Sequence, residues 1–306
     1  MRICVIFNPT ARGDKARRFR RNLDSIGHLC ALKATLAAGH ARVLAAEAVG
    51  EGYDTVVAAG GDGTFNEVVN GIADVPGGFG KVRLGLLPLG TINVFARELG
   101  VPLGLMAAWQ IILEGSEILV DLPRVEMVVK GRVETRHFLQ LGGAGLDSRA
   151  ISLVDWEAKK KLGPLAYILA GLRAMRGPQP LIVASDGARS RAGELVLLGN
   201  GRYYGGAINI FRRANLQDGR LHVCVFPKVN AGALCLAALG FPAGRVPQAC
   251  GAAEFQAESV TLTSAEPVPL ELDGDNVGEL PAKFSLVPKG LRVLVPGKEK
   301  ERRSFY

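Results

Sequence analysis

The sequence predicts an α/β protein in two parts, a doubly wound parallel-sheet domain over 1–120 followed by a β-rich sandwich domain over 121–306. Three observations carry this expectation. Strand and helix signals alternate through the first third, as a parallel sheet with crossover helices requires. From about Ser116 the texture changes to short β-branched runs broken by Gly, Asp and Asn, the pattern of antiparallel strands and turns. And 306 residues at 48% hydrophobic composition exceed the roughly 250 residues that one core usually serves.

Taken in order, the first domain reads as the strand "RICVIF", a basic helix from Asp14, the strand "LCALKAT", a helix from Ala41, the strand "TVVAAG", a helix from Thr64, the strand "LGLLP", and helices after Thr91 and Pro102. In such sheets ligands bind beyond the carboxyl ends of the strands. The loops "NPTARGDK", "GGDGT" and "LPLGTIN" all fall there. The second domain runs through "ILVDLPRVEMVV", "VETRHFLQLGG", "LIVAS", "ELVLLGN", "LHVCVF", "SVTLTS", "LELDGD" and "LRVLVP". One helix interrupts it, with Leu165, Ile168, Leu169, Leu172 and Met175 at helical spacing and Lys159 to Lys161, Arg173 and Arg176 framing it. It reads as a cover for one sheet, with a membrane-facing role as the alternative. The last twenty or so residues are expected to return to the first domain.

Composition narrows the function. The opening "MRICVIFNP" reads as a first strand and not a leader peptide. The longest weakly polar stretch, "NAGALCLAALGFPAG", is shorter than the ~20 residues a membrane helix needs. A cytoplasmic protein is expected. Five cysteines lack short paired spacing and are expected to be reduced and buried, and four scattered histidines give no zinc or Ser-His signature. The net charge of +8 is spread over "RRFRR", "KKK" and "KEKERR" with only 6% aromatic residues. That pattern suits anionic headgroups or phosphates, not nucleic acid.

The densest chemical signal is "AAGGDGTFNEVVNG", residues 58–71. A strand that stops in a Gly-rich turn and feeds a helix presents main-chain N–H groups to an anion, of which phosphate is the obvious one. Gly60, Gly61 and Gly63 let a phosphate approach, Asp62 can hold a Mg²⁺-water shell, and Thr64 can donate or cap the helix. Neither a Walker A loop nor a full dinucleotide fingerprint occurs.

Further motifs, "NPTARGDK", "LPLGTINVFARELGVP", "GGAGLDSRAI", "NGRYYGGAINI", "ANLQDGRLHV" and "LELDGDNVGELP", accompany it in order along nearly the whole chain. Together they resemble the diacylglycerol kinase catalytic family, the bacterial lipid kinases similar to sphingosine and ceramide kinases. The resemblance implies transfer of the γ-phosphoryl group of ATP, with Mg²⁺, to a lipid hydroxyl, with ATP on the first domain and the acceptor admitted between the domains. It implies a nucleotide site from Asn8, Pro9, Thr10, Ala11, Arg12, Thr35, Gly61, Asp62, Gly63, Thr64, Phe65, Asn66, Glu67 and Thr91.

It also implies catalytic acids. Asp273 and Asp275 flank Gly274, so in an extended segment both face one side, and the general base lies between them, with Asp273 favoured. Family members hold a structural Mg²⁺ at the stretch resembling "ANLQDGRLHV", which transfers to Asn215, Asp218 and the carbonyl of Arg220. Three positions depart from the family: Asp275 stands for Glu, Gln217 for an acid, and Val94 for an Asp of many bacterial diacylglycerol kinases. Val94 turns the expectation away from diacylglycerol alone and toward other lipid alcohols. Expected partners are ATP, a lipid alcohol such as diacylglycerol or ceramide, and the inner face of the membrane as a peripheral surface; a homodimer stays open. Two alternatives stay open beside this reading: a soluble-substrate kinase of the NAD kinase or phosphofructokinase type, and a nucleotide or lipid sensor without catalysis.

Overall fold

The computed structural model describes residues 1–9, 14–22, 26–146, 148, 179–206, 208–241 and 243–297. Thr10, Ala11, Arg12, the helix expected around Leu165 to Met175 and the basic tail lie outside the described residues. The chain divides into two compact units, Met1–Leu122 with the chain from Pro288 onward, and Pro123–Val287.

The first unit runs β1 (Ile3–Phe7), α1 (Asp14–Arg21), β2 (Ala31–Ala34), α2 (His40–Gly50), β3 (Thr55–Gly60), α3 (Asp62–Ala73), α4 (Gly78–Lys81), β4 (Arg83–Pro88), α5 (Val94–Glu98) and α6 (Leu105–Glu114). Its strands pair in the order β2-β1-β3-β4, all parallel. Both β1 and β3 are buried along their full length, the near-continuous apolar run of a strand covered on both faces. Because every strand points the same way, the ends at Phe7, Ala34, Gly60 and Pro88 share one edge of the sheet.

The second unit is antiparallel. Here β5 (Ser116–Val129), which begins in the first unit, is followed by β6 (Arg132–His137), β7 (Leu141–Gly145), β8 (Ile182–Ser185), β9 (Ser190–Gly193), β10 (Leu195–Gly199), β11 (Tyr203–Tyr204), β12 (Ile208–Asn209) and β13 (Leu221–Phe226). After these come α7 (Ala231–Gly240), α8 (Val246–Ala249), β14 (Ala253–Ala257), β15 (Ser259–Ser264), β16 (Pro269–Leu272), β17 (Asp275–Glu279) and β18 (Ala282–Val295). One layer is the six-stranded sheet β14-β13-β10-β7-β16-β17. The other contains β18, β15, β8 and β9. Val196, Val223 and Leu270 of the first layer share one buried core with Ile182, Leu262 and Phe284 of the second, with Phe138 edge-on to Phe284 at 5.9 Å. That is the β-sandwich the alternating strand pattern predicts. Past Pro288, β18 adds to the parallel sheet of the first unit, Val293 opposite Leu84 of β4.

Two features depart from expectation. The stretch 231–240, which the strand-and-turn pattern does not mark as a helix, is one, and it carries Cys235 exposed. Cys4 is buried as expected, and burial pushes its thiol up to about 11, so it stays protonated and inert at neutral pH.

Candidate active site

At the carboxyl edge of the parallel sheet, β3 turns at Gly61 directly into α3. Gly61 is the N-cap with an extended backbone and supplies no side-chain acceptor. The first intrahelical bond runs from the Phe65 N–H to the Gly61 carbonyl at 3.1 Å. The N–H groups of Gly63 and Thr64 therefore stand open among the described residues, at the positive end of a twelve-residue helix. An anion is the partner such an end lacks.

The loop after β4 is clasped against this turn. Leu89 and Gly90 donate their N–H groups to the Gly60 carbonyl at 2.8 and 3.1 Å. Buried Asn93, in the left-handed region with φ 55°, closes the loop on itself. It donates Nδ2 to the Gly90 carbonyl at 2.7 Å and accepts the Gly90 N–H at 3.1 Å. A Cβ on Gly90 would lie 2.6 Å from the Cα of Gly61, so the two glycines are what lets the loops touch. Asp62 fastens them a second time, its Oδ1 accepting the N–H of Phe95 at 3.2 Å in the first turn of α5. Burial raises the Asp62 carboxyl above its ordinary 3.8, while the main-chain N–H groups of residues 93–95 pull the other way. Val94 leaves the first turn of α5 without an acid, and Asp62, at the start of α3, supplies one.

The remaining predicted nucleotide residues fall into two groups. Asn8 and Pro9 follow β1, Thr35 follows β2 with its N–H on the Phe7 carbonyl at 2.8 Å, and exposed Thr91 lies in the clasped loop, all on the same edge. The side chains of Phe65 and Glu67 serve the fold instead. Phe65 is fully buried in the core. Glu67 accepts the N–H groups of Gly39 at 2.9 Å and Ala41 at 3.0 Å, capping the start of α2. Asn66 turns its Oδ1 to the Nδ2 of Asn70 at 3.0 Å.

In the second unit the acid pair does not share a face. Asp273 and Gly274 have φ of 48° and 96°, both positive, which is the tight hairpin turn between β16 and β17 that Asp-Gly favours. The extended segment assumed from spacing is thus replaced by a reversal at Asp273. Its carboxylate accepts three main-chain N–H groups, those of Leu139 at 2.8 Å on Oδ2, and of Gln140 at 2.9 Å and Leu141 at 3.0 Å on Oδ1. Asp275 is exposed, and its carboxylate makes no hydrogen bond or ion pair among the described residues. The residues that fix Asp273 were not foreseen, since they act through their backbone and lie more than 130 residues away in sequence.

The turn from Asn215 to His222 does not, as folded, make a cation site. Asp218 Oδ1 accepts the N–H of Arg220 at 2.9 Å, and Oδ2 meets Nε2 of buried His222 at 2.8 Å. Asn215 Oδ1 accepts the Gln217 N–H at 3.1 Å. With Gln217 in place of an acid, one carboxylate remains, and its two oxygens face the Arg220 N–H and His222 Nε2. No cluster of three His, Cys, Asp or Glu suited to a metal occurs among the described residues. An imidazole stands against the carboxylate that the resemblance assigns to a cation. Asp218→Ala is accordingly expected to lower Tm by the same amount in Mg²⁺ and in chelator. The loss should be ~1–3 kcal/mol from leaving His222 Nε2 without its partner. A loss confined to Mg²⁺ buffer, measured by calorimetry, would restore the ion.

Set beside known proteins, residues 2–125 match the family described as the diacylglycerol kinase catalytic domain. Residues 142–295 match the one described as the YegS C-terminal NAD kinase beta sandwich-like domain. The chain is 30% identical over 315 residues to a diacylglycerol kinase of Staphylococcus carnosus (strain TM300), covering 95% of this chain and 94% of that protein. It is also 30% identical over 305 residues to a diacylglycerol kinase of Staphylococcus aureus (strain MRSA252), covering 95% and 91%. A crystal structure of a diacylglycerol kinase from Bacillus anthracis str. Sterne shares the fold, with TM-score 0.72 over 96% of each chain at 24% identity.

Proposed function

The chain belongs to the diacylglycerol kinase family and is a phosphotransferase of that lipid-kinase type, and from this premise we propose that it moves the γ-phosphoryl group of Mg-ATP to the hydroxyl of a membrane lipid alcohol. The observation that carries the nucleotide half is the pair of open N–H groups on Gly63 and Thr64, held at a helix start by the Gly61–Gly90 contact. They offer phosphate oxygens fixed donors that cost no reorganisation during transfer. Asn8, Pro9, Thr35 and Thr91, on the same edge, border the nucleotide. Mg²⁺ arrives with ATP as part of the substrate, and Asp62 reaches its water shell.

The acceptor half rests on the acids of the β16–β17 turn. As the lipid oxygen bonds to the γ-phosphorus, the bond from that phosphorus to the β-bridging oxygen breaks, ADP leaves, and the hydroxyl proton passes to a carboxylate. Asp273 is the base in this proposal. Three main-chain donors hold its carboxylate, so the acid is rigidly aimed. In a loose transition state the hydroxyl becomes acidic only as its bond to phosphorus forms, so placement of the base counts for more than its strength. The protein works at the cytoplasmic face of the membrane, where its acceptor is held. Among the described residues no helix is long and apolar enough to cross a membrane.

The test is a radiolabelled ATP assay over dispersed diacylglycerol, ceramide, sphingosine and monoacylglycerol, with NAD as a soluble acceptor. Label in one of the lipids is the expected result. Label in NAD alone would make this a soluble-substrate kinase, and ATP binding without transfer to any acceptor would make it a sensor.

A further inference from the structure

Helix α7 of the second unit has its apolar pattern reversed. Ala233, Ala237 and Gly240, spaced i, i+4 and i+7, form the inward stripe. A Cβ on Gly240 would stand 2.8 Å from Ala249 Cβ, which shows how closely α8 lies, and Cys250 donates its thiol to the Ala233 carbonyl at 3.4 Å. The large side chains point away: Leu234 is 50% exposed, Leu236 46%, Leu239 76% and Phe241 55%. A helix that only covers a core does the opposite, with small or polar residues outside and leucines within. Asn230 caps it by accepting the Ala233 N–H at 2.9 Å, so the helix is well formed before anything covers it.

The charges around it say what the cover is. From Pro227 through Ala253 the sequence holds no acid, and its only charged residues are Lys228 and Arg245. Arg245 is exposed and makes no ion pair among the described residues; Lys228 pairs with Glu194 at 3.0 Å. Arg212 and Arg213, both exposed, directly follow Phe211, which shares a small core with Val246 and Cys250 beside α7. Exposed leucines rimmed by unpaired guanidinium groups complement an anionic bilayer, whose headgroups take the cations and whose acyl boundary takes the leucines. A second copy of the chain fits less well. It would bring the same positive rim, and ten helical residues rise only ~15 Å, a face far below the ~800 Å² per partner of an ordinary specific interface.

Resting on the lipid-kinase reading above, we propose that the outward face of α7, with Arg245, Arg212 and Arg213, is the surface by which this enzyme docks on anionic membrane. The test uses the full chain, vesicles of phosphatidylcholine with and without ~30% phosphatidylglycerol, and the variants Leu239→Glu with Phe241→Glu and, separately, Arg245→Glu. All these residues are exposed, so the variants are expected to fold, which circular dichroism and Tm check. Wild type is expected to sediment with the anionic vesicles, and the double variant at least ~10-fold less. Arg245→Glu should weaken binding in low salt and not in high salt. Diacylglycerol in vesicles is then phosphorylated poorly by the double variant, while a short-chain diacylglycerol dispersed in water is phosphorylated as by wild type. Undiminished vesicle binding by the folded double variant would overturn the proposal, as would a concentration-dependent dimer that the same variant abolishes. Failure of wild type to phosphorylate any dispersed lipid of the panel above overturns the lipid-kinase reading instead, whatever the vesicles show.

Discussion

Asp62→Ala is expected to lower kcat/KM for Mg-ATP by at least ~10²-fold, and Asp62→Asn by at least ~10-fold. The two variants separate what the side chain does for the loops from what its charge does for the substrate. Alanine removes both. It leaves the Phe95 N–H without its acceptor, at ~1–3 kcal/mol, and loosens the first turn of α5 from the Gly61 turn. Asparagine keeps an oxygen for that N–H and loses the charge. A carboxylate beside open phosphate-binding donors would repel the nucleotide unless a cation stood between them, so an ionised Asp62 makes sense only with the Mg²⁺ that ATP brings. Stability should therefore be nearly wild type in the asparagine variant while turnover stays low. Recovery of both would reduce Asp62 to a clasp. The pH dependence gives a second check. Burial raises the folded pKa above 3.8, so the group's contribution is fully present below 3.8 and is lost as pH rises through the raised value. Replacing it with asparagine should remove that decline from the Tm–pH curve.

What could be read from the sequence, and what could not, divides along a physical line. The turn at Gly61 was legible because its chemistry is local: glycines where backbone must approach, a strand before and a helix after. The capping role of Glu67 was not legible, because its partners are the N–H groups of Gly39 and Ala41, 28 and 26 residues upstream, and main-chain donors leave no trace in side-chain identity. The Asp218–His222 pair was visible as a spacing of four, yet only the tight turn through Gly219 brings Nε2 onto the carboxylate. Helix α7 escaped because its buried side is Ala and Gly. An apolar outside and a small inside present no polar face, so the period that marks an amphipathic helix is missing.

The largest effect is expected at the hairpin turn. Asp273→Asn should reduce lipid phosphorylation by at least ~10²-fold, leave KM for ATP within a few fold, and lower Tm, whereas Asp275→Asn should do far less to the rate and nothing to Tm. The stability part follows from the three N–H groups of Leu139, Gln140 and Leu141, which converge on Asp273. An amide offers one oxygen and turns an NH₂ toward a main-chain donor, so at least one N–H is left unpaired, at ~1–3 kcal/mol. That loss alone could slow the enzyme by moving the 139–141 segment, so the rate must be read against a control that disturbs the segment and keeps the acid. Gln140→Ala serves, since it leaves the backbone N–H groups and Asp273 in place while removing a buried side chain that donates to the Tyr203 carbonyl. If Asp273 is the base, its asparagine variant loses far more rate than Gln140→Ala at equal loss of Tm. It should also lose the acid limb of the kcat–pH profile, which reports protonation of the base. If the two fall together and Asp275→Asn removes the acid limb instead, the proton goes to Asp275, the exposed and unpartnered carboxylate, and Asp273 is the fixed post on which the neighbouring loop hangs.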